Sequence, residues 1–226
     1  MRTPGFLRSF LVSSVLFLSA ASFLFASSRE DSRDVRLGTV EGDVRLSRGN
    51  HERPDLKQPW EEAQPNENIS QGFALATGNG RASIDFEDGS TIYLAENSLL
   101  LLNNLSTNQK GSATSVSLIS GSATFELKPQ AGNRFSIKTP SDNLFVDPPE
   151  DFHARIDAYL DATAITPQGE HGESLNRAGQ DPVHFKRGES FYLNQGHIVE
   201  TRTDSSVDPQ QFAQRVAAFC SRSNSS

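Results

Sequence analysis

The sequence feature that most constrains the fold is a run of alternating apolar and polar residues on both sides of an Asp-Gly pair, at residues 81–102. Such alternation is typical of half-buried β-strands. Glycine tolerates positive φ and an aspartate side chain can bond its own backbone, so Asp88-Gly89 predicts a turn. The apolar positions expected to face the core are Ile84, Phe86, Ile92 and Leu94. The run therefore predicts a structural scaffold rather than a catalytic site.

Similar units of strand, glycine and strand recur around Gly42, Gly121 and Gly188. Around Gly188 the apolar spacing matches that of the first unit. Around Gly121 the second apolar pair is displaced by one residue, which would reverse its face unless a β-bulge absorbs the shift. Repeated units of this kind predict an all-β fold, either a β-solenoid or a twisted sandwich of short, mainly antiparallel strands.

The chain begins with a segment that is typical of export signals. Two arginines precede an apolar run, and the small residues Ala26-Ser27-Ser28 suit cleavage by a signal peptidase. We therefore expect residues 1–28 to be a signal peptide and the exported chain to begin near Arg29. The alternative is an uncleaved anchor, the only membrane attachment expected, because about 20 apolar residues span a bilayer. In both cases the remainder is expected in the periplasm or cell envelope.

Three segments follow from this reading: residues 1–28, a β domain at 33–205, and a tail at 206–226. In the tail, Asp208 and Pro209 suit the start of a helix, and apolar residues at helical spacing predict a short amphipathic α-helix. Within the β domain, residues 152–166 predict two strands joined near Asp161, whereas the polar residues 169–180 predict a flexible connection.

A second polar stretch, residues 49–71, contains three prolines and predicts a long surface loop. Trp60 is the exception in it. Its ring is expected either to pack on the core as a lid or to contact a partner, because aromatic residues are enriched at protein interfaces. Among individual residues, Trp60 is the best candidate for a partner contact.

Charge and cysteine content restrict the classes of partner and cross-link. The formal net charge is −7, and removal of residues 1–28, which contain Arg2 and Arg8 and no acidic residue, makes it −9. Nucleic acid is therefore not expected as a partner, since phosphate binding needs a basic face. The single cysteine, Cys220, excludes an internal disulfide. A domain of this size can fold on its core alone.

No residue pattern predicts catalysis, a metal site or a cofactor. The histidines lack zinc-site spacing, the serines lack a G-x-S-x-G elbow, and Cys220 has no nucleophile signature around it. Two small groups contain potential metal ligands. The first, Asp151, His153 and Asp157, is expected to form a solvated strand face. The second, Asp85, Glu87 and Asp88, is expected to form an ordinary acidic turn. We therefore expect a non-enzymatic protein.

The motifs resemble the bacterial FecR domain, whose pattern runs from a G-D-x-[IL]-x-T-G turn into a strand, D-G-S and another strand. The matching residues are Gly72, Leu75, Thr77, Gly78, Asp88, Gly89 and Ser90. Phe73 occupies the place where the family usually has aspartate. Residues 118–121 resemble the family's L-x-x-G step, and residues 134–141 resemble its F-x-V-x-T-P signature. The resemblance covers roughly residues 35–200.

The resemblance implies a role in envelope signalling. FecR proteins are anti-sigma regulators that span the inner membrane and relay a signal from an outer-membrane ferric-siderophore receptor to a cytoplasmic sigma factor. Here only about eight residues precede the apolar segment, too few to fold a sigma-binding domain, so direct sigma binding is not expected.

Three hypotheses follow. The first is a periplasmic module that binds an envelope protein or polymer. The second is a sensor in iron or siderophore signalling that acts with a separate membrane regulator. The third, more distant, is a metal-dependent sugar-binding or hydrolytic β-protein.

Overall fold

The computed structural model describes residues 31–49, 59–108, 110–128, 130–146, 151–169, 173–177, 180–185, 188–195 and 197–202. These residues form strands without a helix, so the predicted all-β class is confirmed. The predicted signal peptide and the predicted tail helix lie outside the described residues. Among those described, no helix has the length and hydrophobicity to cross a membrane.

The strands are numbered in chain order. They are β1 (Asp31–Ser32), β2 (Val35–Glu41), β3 (Val44–Ser47), β4 (Glu61–Glu62), β5 (Ala74–Thr77), β6 (Arg81–Phe86), β7 (Thr91–Leu94), β8 (Leu99–Asn108), β9 (Gly111–Leu127), β10 (Arg134–Lys138), β11 (Asn143–Val146), β12 (Phe152–Ala158), β13 (Thr163–Pro167), β14 (Glu173–Arg177), β15 (Gln180–Phe185), β16 (Ser190–Asn194) and β17 (His197–Arg202).

The strands form two sheets that share β9. The first sheet has the order β4-β3-β5-β8-β9-β10-β11-β14-β15, with β1 also paired to β8. The second sheet has the order β2-β6-β7-β9-β12-β13-β16-β17. The β9–β10 pair is parallel. The other named pairings are antiparallel, in agreement with the prediction of mainly antiparallel strands.

The passage of β9 from one sheet to the other depends on Gly121. Residues 113–117 pair with β10 in the first sheet, and residues 121–127 pair with β12 in the second. Gly121 has φ +85°, and an added Cβ would lie 2.5 Å from the Cα of Ser98, so no larger residue fits there. A register shift opposite Leu99 and Leu100 is the bulge that the displaced apolar pair requires. Gly121 was expected at a turn, but the strand continues through it.

The two sheets face each other across one apolar core. The ring of Phe135, on the first sheet, contacts Phe86 and Phe125 of the second in edge-to-face arrangements, with centroid distances of 5.8 and 6.2 Å. The predicted core residues Phe86 and Ile92 are 5% and 0% exposed, as expected. Other residues of the same cluster are Leu37, Leu46, Leu75, Ile84, Leu100, Leu102, Val116, Ile137, Leu144 and Ile156. The fold is therefore the sandwich alternative of the prediction.

The Asp88-Gly89 turn joins β6 and β7 as predicted. Gly89 has φ +81°, which favours glycine, and its N–H donates to the carbonyl of Phe86 at 3.0 Å. The Asp88 carboxylate accepts a hydrogen bond of 2.9 Å from the N–H of Ser90. The two strands then pair with Ile84 opposite Ile92, which places both side chains in the core.

The glycine units at Gly42 and Gly188 have a different outcome. Gly42 separates β2 of the second sheet from β3 of the first, and Gly188 separates β15 of the first sheet from β16 of the second. Both glycines therefore mark places where the chain crosses between sheets rather than hairpins. The units around Gly89 and Gly188 also differ in exposure, since Tyr93 is 47% exposed and Tyr192 is 1% exposed.

Two segments predicted as loop or flexible connection contain strands. In the first, β4 pairs with β3, Ala63 and Ile69 are buried, and the N–H of Ile69 donates to the carbonyl of Val35 at 2.8 Å. In the second, β14 pairs with β11 and β15 and buries Leu175. Both expectations were wrong at these strands, because single apolar residues in a polar sequence give no periodic signal, although each one reaches the core.

Candidate functional site

An open groove of about 770 Å³ lies on the outer face of the second sheet. Its floor is formed by β6, β7, β9 and β12, and each of these strands pairs with a neighbour on both sides. The connection that follows β7 closes one end. The groove therefore lies on a continuous hydrogen-bonded sheet, which holds its side chains at fixed spacing.

The strand registers place four polar side chains in one line across the groove floor. Ser83 pairs with Tyr93, Tyr93 with Thr124, and Thr124 with Arg155. We call these four residues the central row. Because side chains alternate along a strand, the next residue on each strand points to the core, and adjacent strands lie about 4.8 Å apart. The central row is therefore roughly 14 Å long.

Tyr93 provides the aromatic surface of the groove. Its side chain is 47% exposed, although the neighbours Ile92 and Leu94 are 0% and 1% exposed. Tyrosine combines an apolar ring with a polar hydroxyl and loses little conformational entropy on binding, since only two side-chain torsions are restricted. Tyr93 therefore offers a flat contact on a rigid base.

Arg155 and Asp157 form the best-ordered ion pair of the groove. Nη2 of Arg155 donates to Oδ1 of Asp157 at 2.7 Å, and Nε donates to the same oxygen at 3.0 Å. Burial lowers the pKa of Arg155, but the hydrogen bond and the charge of Asp157 raise it by more, and the net shift is upward. The guanidinium is therefore charged at all accessible pH values and is held next to an acceptor.

The other end of the groove carries a more exposed ion pair. Arg81 and Glu96 lie 3.1 Å apart, and their side chains are 69% and 48% exposed, so the pair adds little to stability. Together with Glu41 and the Arg155–Asp157 pair, the lining contains three carboxylates and two guanidinium groups. The groove is thus close to electrically balanced.

The acidic turn that follows β6 forms a buried ion pair with Arg33. The guanidinium of Arg33, whose side chain is 2% exposed, lies 2.5 Å from the carboxylate of Asp88 and 3.4 Å from that of Glu87. It also donates to the hydroxyl of Thr114 at 2.6 Å and lies 5.0 Å from the ring centre of Phe86. The positive charge in this turn is therefore the side chain of Arg33.

The other group of potential metal ligands is also spread along a strand face. His153 pairs with Glu126, and Asp157 is hydrogen-bonded to Arg155. Within the described ranges, no group of three or more His, Cys, Asp or Glu side chains is arranged to hold a metal ion.

Trp60 lies just before β4, at the edge of the first sheet, and is partly buried. It does not line the groove, which is on the second sheet. The structure thus separates Trp60, which the sequence indicated, from the groove. The role of Trp60 as a partner contact stays a prediction.

The groove residues were not predicted from the sequence, although one of them, Tyr93, stands out by its residue type. Tyr93, Thr124 and Arg155 occupy the polar positions of alternating strands, for which no role was predicted. Tyr93 differs from the other polar positions, because an aromatic residue that faces away from the core is a candidate for a binding contact. The alignment of these residues across strands distant in sequence depends on register, which no local pattern contains.

Comparison with known proteins gives a family match for the central part of the chain. Residues 74–147 match the family model described as FecR protein. No curated protein matches the sequence. Two crystal structures, at 1.65 and 2.50 Å resolution, of a protein described as a "putative anti-sigma factor" from Parabacteroides distasonis ATCC 8503 are similar at 16% sequence identity, with TM-scores of 0.45 and 0.44. Each alignment covers 64% of this chain and 62% of that protein.

The family match begins at the first residue of β5 and ends just after β11. It includes the Asp88-Gly89 turn and the whole of β9, through which the two sheets are joined. The resemblance seen in the sequence is therefore confirmed over this region, which is shorter than the expected residues 35–200. Residues 74–147 of this chain, in the centre of the fold, are thus similar to the FecR family.

Proposed function

We propose that this chain is a non-catalytic FecR-like recognition module of the cell envelope, and that the groove on the second sheet is its binding surface. The single observation that carries the proposal is the groove itself. It combines an exposed aromatic ring with a fixed ion pair on a floor of strands that are paired on both sides. Concave surfaces with a few well-placed polar groups are the usual form of binding sites.

The arrangement of charged groups supports binding rather than bond cleavage. Nε and Nη2 of Arg155 both donate to the Asp157 carboxylate, so this group is held in an ion pair rather than free to act as a base, although a carboxylate with two donors can accept a further hydrogen bond. Glu96 at the far end is paired with Arg81 and is 48% exposed to solvent. A general base needs a carboxylate that can reach the substrate's proton in a sheltered site, and neither group meets that condition.

The location in the envelope rests on the N-terminal sequence. Its two arginines, apolar run and Ala26-Ser27-Ser28 are the pattern of an export signal. FecR proteins act in envelope signalling, so the family match over residues 74–147 is consistent with this location.

The proposal is tested by blocking the groove without disturbing the core. Thr124→Arg places a long charged side chain in the centre of the groove floor, where Thr124 is partly exposed between Tyr93 and Arg155. Ser136→Arg on β10 is the matched control, because Ser136 is also partly exposed and lies mid-strand on the first sheet. Each variant would be cross-linked in intact cells and purified with its bound material.

We expect wild type and Ser136→Arg to retain the same bound component and Thr124→Arg to lose it, with equal urea midpoints for the three proteins. Equal recovery of that component by both variants would show that the groove is not the binding surface. The absence of any component specific to the wild type would contradict the recognition role itself.

The family match supports a second candidate function, a sensor that acts with a separately encoded membrane regulator. This candidate predicts that the cross-linked component is a membrane protein whose removal abolishes a transcriptional response. Recovery of a component unconnected with such a regulator would argue against it.

A further inference from the structure

We infer that the groove on the second sheet binds an uncharged oligosaccharide or polysaccharide chain, with Tyr93 stacked on a sugar ring and the Arg155–Asp157 pair hydrogen-bonded to sugar hydroxyls. The inference names the ligand class of the site proposed above and therefore rests on that proposal. It involves no metal ion, in contrast to the metal-dependent sugar-binding hypothesis considered from the sequence.

The exposed ring of Tyr93 suits stacking on a sugar ring. A pyranose ring presents a flat face of C–H groups beside its hydroxyls, and a tyrosine ring matches that face with an apolar surface and a polar edge. Tyr93 is 47% exposed, and its backbone is paired on one side with Ser83 and on the other with Thr124. The ring is therefore available to a ligand on a base that does not need to reorganise.

The hydrogen-bond donors and acceptors next to that ring suit sugar hydroxyls. A sugar hydroxyl both donates and accepts, so it is best bound by a donor and an acceptor at fixed spacing. The Arg155 guanidinium and the Asp157 carboxylate supply both, 2.7 Å apart, two strands away from Tyr93. Thr124, which pairs with Tyr93 and Arg155, adds a hydroxyl to this line, whereas Oγ of Ser83 is buried and accepts the N–H of Thr39 at 2.8 Å.

The balance of charges in the groove favours a neutral ligand. Three carboxylates and two guanidinium groups line the groove and are largely paired with each other. A highly charged polymer needs a surface with an excess of the opposite charge, which this lining does not have. The overall charge of −7 would further repel an anionic polymer. A neutral ligand fits the balance of charges.

The groove is poorly suited to a peptide. Peptides that bind to sheets commonly pair with a free strand edge, whereas each of the four floor strands has a partner on both sides. Protein partners also need an apolar pocket for an anchor residue. Among the described residues that line the groove, Ala82 and Leu94 are 4% and 1% exposed and Ala95 is partly exposed, so the tyrosine rings are the large side chains with apolar surface there.

The dimensions favour a chain of several sugars. Tyr159 lines the groove two strands away from Tyr93 and four residues beyond Arg155. With about 4.8 Å between strands and 3.3 Å per residue, the two tyrosines are roughly 16 Å apart along a diagonal of the groove. That length exceeds a single sugar ring.

The test uses the exported chain, residues 29–226, on a printed array of neutral and anionic oligosaccharides and in native gels that contain neutral polysaccharides. The variants are Tyr93→Ala, Tyr93→Phe and Arg155→Lys. Phe145→Ala is the matched control, because Phe145 is a 39% exposed aromatic residue on β11 of the first sheet. Urea melts of all four variants check that each one is folded.

We expect binding to one or more neutral glycans, a loss of about tenfold or more in affinity for Tyr93→Ala, and near-normal binding for Tyr93→Phe and Phe145→Ala. Arg155→Lys should also bind more weakly, because lysine keeps the charge but lacks the planar fork. A folded Tyr93→Ala variant with unchanged affinity would overturn the inference, as would binding to anionic glycans alone or to none.

The glycan inference and the recognition role fail in different ways. If no glycan binds but the cross-linked component of intact cells is lost with Thr124→Arg, the groove is a protein-binding surface and only the glycan inference is wrong. If neither glycan nor cellular component is recovered, the proposed recognition role is wrong as well.

Discussion

Replacement of Arg33 by methionine should destabilise the protein by an amount that can be worked out from its contacts. The side chains of Arg33 and Asp88 are 2% and 6% exposed and lie 2.5 Å apart. Removal of one partner of a buried ion pair typically costs about 3 to 5 kcal/mol, because the other charge is left without compensation. Methionine preserves much of the apolar stem, so the loss comes mainly from charge and hydrogen bonds.

The remaining contacts of Asp88 place the expected value at the low end of that range. Its carboxylate still accepts hydrogen bonds from the N–H of Ser90 at 2.9 Å and from the amide of Asn133 at 3.1 Å. We therefore expect Arg33→Met to cost about 3 kcal/mol of unfolding free energy. With a urea dependence of about 1.5 to 3 kcal/mol per molar, the midpoint should fall by about 1 to 2 M.

Arg36→Met is the matched control for this measurement. Arg36 also pairs with an aspartate, Asp34, at 3.1 Å, but both side chains are more than half exposed, and its urea midpoint should be unchanged. The double variant Arg33→Met, Asp88→Asn should be more stable than Arg33→Met alone, since the uncompensated carboxylate is removed. Equal midpoints for Arg33→Met and Arg36→Met would refute the reasoning.

Three further predictions concern the core, the edge of the first sheet and the N-terminus. Phe86→Ala should lower the unfolding free energy by about 3 to 5 kcal/mol in urea melts, because the side chain is buried in the core. Gly89→Val should lower it by about 1 to 2 kcal/mol through strain at φ +81°, and Gly89→Asn is the milder control. Unchanged urea midpoints would show that the turn was assigned to the wrong residues. Trp60→Ala separates the two roles open for a residue that lies away from the groove: a lowered melting temperature would show that the ring packs as a lid, a normal melt with loss of a cross-linked component would show a second contact, and a normal melt with full recovery would exclude both. N-terminal sequencing of the exported protein should begin near Arg29, and a membrane-bound form that keeps residues 1–28 would show an anchor.

The extent to which the sequence predicted the fold is clear from particular strands. The alternation around Asp88-Gly89 correctly placed Phe86 and Ile92 in the core, because period-two burial is a local property. The two strands joined near Asp161 were also correct, since β12 and β13 meet there. In contrast, β4 and β14 were missed, because their polar sequences pair only where a neighbouring strand offers its edge.

The candidate site was predicted less well than the fold. Trp60 stood out as the single tryptophan in a polar stretch, yet it lies away from the groove. Arg33 gave no signal in the sequence, although it neutralises the acidic turn from a position 55 residues before Asp88. Both cases depend on where distant segments meet, which residue type and local spacing do not encode.

The all-β class, the Asp88-Gly89 turn and the FecR-like motifs could be predicted from local sequence, because each depends on residues close together in the chain. The sheet assembly was needed to show that Gly42 and Gly188 mark crossings between sheets and that β9 belongs to both. It also decided that Ser83, Tyr93, Thr124 and Arg155 form one line. The physical reason is that pairing register is set by the fit of whole strands over a shared core, so the alignment of their outer side chains is known only after the sheets are assembled.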